Sequence, residues 1–129
     1  MKIAVKYSLQ LVFDIIDSDD SEKVRFSAKS KSIDPVIEVY SKTSNPKTIS
    51  EAQLFILSGL KTLTDLNFVQ RTIQWNNPKC IADVYGLIYD KRPWYIKFVI
   101  EDGTLEQISF HPPIAELKTI RGLIIPKGS

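Results

Sequence analysis

Ile81-Ala-Asp-Val-Tyr-Gly-Leu-Ile-Tyr89, Trp94-Tyr-Ile-Lys-Phe-Val-Ile100 and Leu105-Glu-Gln-Ile-Ser-Phe-His111 are three runs dominated by β-branched and aromatic residues. They are separated by Asp90-Lys91-Arg92-Pro93 and by Glu101-Asp102-Gly103-Thr104. Runs of this kind, bounded by turn residues, read as an antiparallel meander. Side chains alternate faces along a strand, so Trp94, Ile96, Phe98 and Ile100 fall on one side and Tyr95, Lys97 and Val99 on the other. In the third run Ile108 and Phe110 fall together, opposite Gln107, Ser109 and His111. If hairpin register brings the apolar sets to a common core, Tyr95, Lys97, Ser109 and His111 share the outer face. An imidazole, an ammonium and a phenol then meet on one surface.

Outward from these runs, Pro112-Pro113 ends the third strand, and Ile120 to Ile125 reads as an edge strand or a tail packed on the sheet. Upstream the period changes. Leu9, Val12, Phe13 and Ile16 make one face of a helix over Ser8 to Ser18 that Ser8 can cap, and Asp17 to Ser21 is a surface loop. Val24 and Phe26 alternate with polar neighbours in a short strand between Lys23 and Ala28. Asp34-Pro35 favours a short helix with aspartate at the N-cap and proline first inside it, whereas Val36, Ile37, Val39 and Tyr40 favour a strand, and of the two the helix is the expectation; Ser41 to Lys47 is a loop. Thr48 and Glu51 fit a capping box, and Leu54, Leu57 and Leu60, with Phe55 beside them, predict a helical stripe that ends near Thr62. Asp65 to Arg71 is a turn or a further short helix. Helices first and strands after them make the chain α+β, with N-terminal helices packed on a curved antiparallel β-meander of three to five strands. A single domain over 1–129 is expected, its helical half about 1–71 and its sheet half about 72–126.

The totals exclude more than they assign. The net charge is only +2, so bulk charge does not announce a nucleic-acid binder, although Lys79, Lys91, Arg92, Lys97, Lys118, Arg121 and Lys127 leave room for a local basic face. The single cysteine, Cys80, excludes an intrachain disulfide and a multi-cysteine zinc site, and with one histidine a metal site built from protein side chains alone is not expected. No cofactor is expected either. Asp14, Asp17, Asp19 and Asp20 interrupt the N-terminal apolar character too soon for a signal peptide, and no run reaches membrane-spanning length, so the expected compartment is the reducing cytoplasm.

Asp83-Val84-Tyr85, then Tyr95-Ile96-Lys97, then Ile108-Ser109-Phe110 followed by a basic or polar residue, resemble in order and spacing the C-terminal half of MqsR-type toxins. These belong to the RelE-like group of small bacterial ribonucleases, within a broader set of barnase-like folds. Ser58-Gly59-Leu60 and Asn67-Phe68 extend the resemblance upstream, so that it covers roughly 50–111. It implies a metal-independent endoribonuclease of a toxin–antitoxin pair, acting on RNA with the RNA's own 2′-hydroxyl as nucleophile and held by a cognate antitoxin protein. The family's tyrosine falls on Tyr95 and its terminal basic residue on His111. Its lysine falls near Gln70 or Arg71, and its glutamine falls on Ala82.

Cleavage by the 2′-hydroxyl needs a base for its proton, a cation for the phosphorane-like transition state and an acid for the 5′-oxygen. His111 is the natural acid or base, because imidazole changes charge near neutral pH. Lys97 and Arg71 are candidates to stabilise phosphoryl oxygens. Tyr95 can position phosphate or stack on a base, and Tyr85, Trp75, Lys91 and Arg92 are further candidates for RNA contact. The same residues also have a structural reading, in which Tyr95 and Lys97 form a partly exposed strand face with the lysine stem shielding apolar neighbours. Trp94 is a weaker candidate for stacking on a base, and its place in the apolar set makes core the expectation for it. The competing functional classes are a non-catalytic binding module, such as an immunity or antitoxin-like protein or a degenerate ribonuclease fold, and the nuclease end of a larger delivered toxin.

Overall fold

The computed structural model describes residues 5–26, 29–74 and 77–128, with backbone alone at 74 and 77–80. Three helices, α1 (Leu9–Asp17), α2 (Ile33–Tyr40) and α3 (Ile49–Leu60), accompany a five-stranded sheet. Its strands are β1 (Val24–Phe26), β2 (Phe68–Gln74), β3 (Asn77–Tyr89), β4 (Arg92–Glu101) and β5 (Thr104–His111), in spatial order β1-β5-β4-β3-β2. All pairings are antiparallel except that of β1 with β5. The chain is thus α+β with a mostly antiparallel sheet. Among the described residues no helix is long and apolar enough to cross a membrane.

The two meander turns form for a local reason. Asp90 and Lys91 take φ of 53° and 62°, and Asp102 and Gly103 take 51° and 74°. Positive φ at both central residues is the condition for the two-residue turn whose twist matches its strands. Helix starts also follow local chemistry. The Ser8 side chain accepts from the Leu11 N–H, and Thr48 and Glu51 complete the capping box of α3.

Four expectations are corrected. The cap of α2 is at Ser32, not Asp34, so Pro35 sits inside the first turn, where a missing N–H costs the helix no bond. The buried side of α3 is Ala52, Ile56, Gly59 and Leu60, whereas Leu54 is 65% exposed. The sheet begins at Phe68, before the expected change of character at about 72. And the fragment around Val24 does not stay with the helical half: it pairs parallel to β5, Val24 opposite Leu105, and forms one edge of the sheet.

The helices cover the sheet face that carries Tyr85, Leu87, Trp94, Ile96, Phe98, Leu105 and Phe110, all 4% exposed or less. The other face carries Ala82, Val84 and Gly86 on β3 beside Lys97 and Tyr95 on β4. After Pro113 the chain returns across this face as a small hairpin, β6 (Leu117–Lys118) and β7 (Ile124–Ile125). A Cβ at Gly86 would lie 2.8 Å from Ile125 Cγ1 and 3.1 Å from Leu117 Cδ1, so the tail packs directly on the strand backbone. Of the two alternatives for the last apolar run, the structure has the tail packed on the sheet, not an edge strand of it, and the outer face is not left open.

Candidate functional site

On that outer face, Tyr95 stands opposite His111 and Lys97 opposite Ser109. The Tyr95 and His111 rings are stacked, with centroids 5.1 Å apart and an interplanar angle of 18°. Strand alternation thus brings together the four residues it predicted, as far as Ser109. Beyond it the register shifts between Lys97 and Phe98: Ser109 faces Lys97, but Gln107 faces Phe98, leaving Ile108 as the extra residue of a bulge. Gln107 therefore joins the buried face rather than the outer one, which corrects its expected placement. Its side-chain amide donates to the carbonyls of Lys97 (3.0 Å) and Ser109 (2.6 Å), groups the bulge disturbs. The bulge is thereby held at the point that orients Lys97 and the end of β5.

His111 Nδ1 lies 2.8 Å from the Pro112 carbonyl oxygen. A carbonyl only accepts, so Nδ1 carries the proton and Nε2 of the neutral ring is left with a free lone pair. Tyr95 and His111 line a cleft of about 580 Å3 together with Ser30, Lys31 and Pro35 from the segment around the start of α2 and Ile114, Ala115 and Leu117 from the segment after β5. That volume lies within the range of about 300–1,000 Å3 usual for small-molecule sites. A second cleft, of about 450 Å3 between α1, α3 and β1, contains none of the candidate residues.

Burial, followed by the nearby Lys31 ammonium, holds Lys97 below the usual lysine range. Burial alone raises the Tyr95 phenol, which stays protonated and able to donate at neutral pH. Lys31 was not among the sequence candidates. It sits in a short 3-10 turn, Lys29–Lys31, before α2, and no local pattern links that turn to β4. The one available signal was the pair of lysines flanking Ser30.

The other candidates are not brought to this cleft. Arg71 stands opposite Asp83, which stands opposite Phe98, so Arg71 lies on the helix side of the sheet at the β2 edge. Gln70 faces Val84, hence the outer face. Asp83 is buried, and its carboxylate accepts from the backbone N–H groups of Lys6 (2.9 Å) and Tyr7 (2.8 Å). Burial raises its pKa, opposed by those bonds and by Arg71. Tyr85 is fully buried, stacked on Phe98 at 5.5 Å and edge-on to Phe68, so it cannot reach a base. Arg92 rests over the Tyr40 ring at 5.3 Å on the helix side, and Lys91 occupies the exposed β3–β4 turn. Trp94 is core, its indole N–H donating to the Tyr89 carbonyl. Trp75 lies outside the described residues. No model of a protein family matches the chain, and no curated protein sequence is similar to it.

Proposed function

We propose that this chain is an endoribonuclease of RelE/barnase-like fold, the toxin of a toxin–antitoxin pair, acting on cytoplasmic RNA without a metal ion. The observation that supports this is the stack of His111 on Tyr95 in a cleft with Lys31 and Lys97 beside it. In the reaction, His111 Nε2 takes the proton of the 2′-hydroxyl as that oxygen attacks phosphorus. The bond from phosphorus to the 5′-oxygen breaks, leaving a 2′,3′-cyclic phosphate on one fragment. The ammoniums of Lys97 and Lys31 balance the charge on the phosphoryl oxygens, the kind of preset charge that contributes most to such reactions. Lys97, with its lowered pKa, delivers the proton to the departing 5′-oxygen. Tyr95 donates a hydrogen bond to a phosphoryl oxygen. Arg71 has no part in this scheme, because it lies across the sheet.

The test is cleavage of single-stranded RNA by the purified chain in excess chelator. Fragments ending in 2′,3′-cyclic phosphate are expected, with His111→Ala slower by about 10²-fold or more. Full activity in His111→Ala sinks the assignment. One observation favours a second reading, a binding module without catalysis: of the four catalytic candidates only three share the cleft face, and Ala82 offers it no polar group. RNA bound at the cleft but left intact by the wild-type chain would decide for that reading.

A further inference from the structure

The cleft is lined by two chemically different sets of residues. Tyr95, His111 and Lys31, with Lys97 beside them, make a polar and cationic set. Pro35, Ile114, Ala115 and Leu117 supply apolar surface and not one ionisable group. Ile114 is the anomaly here. At 82% exposure it is the most exposed of the large apolar side chains described, so it contributes almost nothing to the core. Yet the backbone that carries it is anchored on both sides. Pro113 is buried and its carbonyl accepts from Gly128 N–H at 2.8 Å, while Leu117 packs on Gly86 together with Ile125. A fixed segment thus holds an exposed isoleucine in the lining of a cleft that also carries a lysine and an imidazole.

We infer that the segment from Pro112 to Leu117 builds a base-binding subsite. A nucleotide offers a match for both sets: an anionic phosphate for the cationic side chains and a base with flat apolar faces for the apolar ones. With the phosphate against Lys31 and Lys97, the base packs on Ile114, and Pro35 extends the apolar wall. The side chains of proline, isoleucine, alanine and leucine carry no hydrogen-bonding group, so these four make the subsite tell a base from no base, not one base from another. The inference rests on the ribonuclease reading for where the phosphate lies, and is independent of whether the bond is cut.

The experiment uses NMR of the full chain with three probes: adenosine 5′-monophosphate, ribose 5-phosphate and inorganic phosphate. All three are expected to shift the His111 ring signals, and only the nucleotide the Ile114 methyls. Ile114→Ser should weaken nucleotide binding about fivefold and leave ribose 5-phosphate unchanged. At its exposure that substitution leaves the fold intact, which an unchanged Tm verifies. Equal binding of the nucleotide and ribose 5-phosphate, unaffected by Ile114→Ser, overturns the subsite, and RNA cleavage dependent on His111 would still uphold the ribonuclease reading. The converse result, contact with Ile114 but no RNA cleavage, upholds the subsite and ends that reading. Failure of all three probes to shift either residue overturns the subsite.

Discussion

Lys97 is the residue whose surroundings depart furthest from what a strand-face lysine normally meets. Its charged form is disfavoured first by burial and then by Lys31, so Lys31→Gln should move its pKa upward while leaving it below the ordinary lysine range. Titration of the Lys97 ε-carbon by NMR reads this directly, and no movement in the variant would separate the two lysines. The stability sign follows. A lysine whose folded pKa is lowered binds fewer protons folded than unfolded in the alkaline window between the two values, so its contribution rises with pH there. Lys31→Gln narrows that window. At this scale the legibility of the site was uneven. Tyr95, Lys97, Ser109 and His111 were found by alternation because all four lie on the same side of the β5 bulge. Gln107, one step past it, faces opposite to what alternation predicts, because the bulge breaks the period. Choosing between Gln70 and Arg71 needed the register of β2, which itself shifts between Phe68 and Gln70. Lys31 was illegible because its approach to Lys97 is a matter of tertiary packing alone.

The bulge in β5 is the element on which the site depends, and Gln107 is the side chain that holds it. Gln107→Leu keeps the volume but removes the two bonds to the carbonyls of Lys97 and Ser109. Against this, Gln107 Oε1 has no hydrogen-bond partner among the described residues, and the substitution removes that cost. Two lost bonds outweigh one relieved acceptor, and the expected loss of stability is about 1–2 kcal/mol by urea denaturation. A further effect is expected at the site. Freed from the clamp, the end of β5 should lose hydrogen-exchange protection at Ser109 and His111, and unchanged protection would show that the bulge holds itself. Elements were legible in proportion to how local their causes are. The capping box of α3 and the Asp102-Gly103 turn need only neighbours in the chain. The buried side of α3 depends on which side the sheet occupies, which is why Leu54 was misplaced. Nothing local in Val24 to Phe26 reveals a parallel partner as distant as β5.

At the scale of the whole molecule, the α+β class follows from the order of helical and strand periods, whereas an apolar run such as Ile120 to Ile125 fits an edge strand and a tail on the sheet equally well. Gly86 is what allows the tail to close the outer face, because its missing side chain lets Leu117 and Ile125 rest on the backbone of β3. Gly86→Ala puts a Cβ 2.8 Å from Ile125 Cγ1, closer than carbon atoms can approach, and Cγ1 is an inner atom of a β-branched side chain that cannot swing clear cheaply. Alanine suits a strand better than glycine does, so the sheet has no reason to break. The hairpin of β6 and β7 must yield instead. Expected are hydrogen exchange and limited proteolysis that rise over 114–128 while 92–111 stay protected, with a stability loss of about 1–3 kcal/mol, the usual cost of overpacking. Because Ile114, Ala115 and Leu117 wall the cleft, the same variant should lose nucleotide affinity without loss of the Tyr95–His111 stack. Uniform loosening of sheet and tail together would mean that the tail is an integral part of the domain, and an unperturbed tail would mean that it does not rest on Gly86.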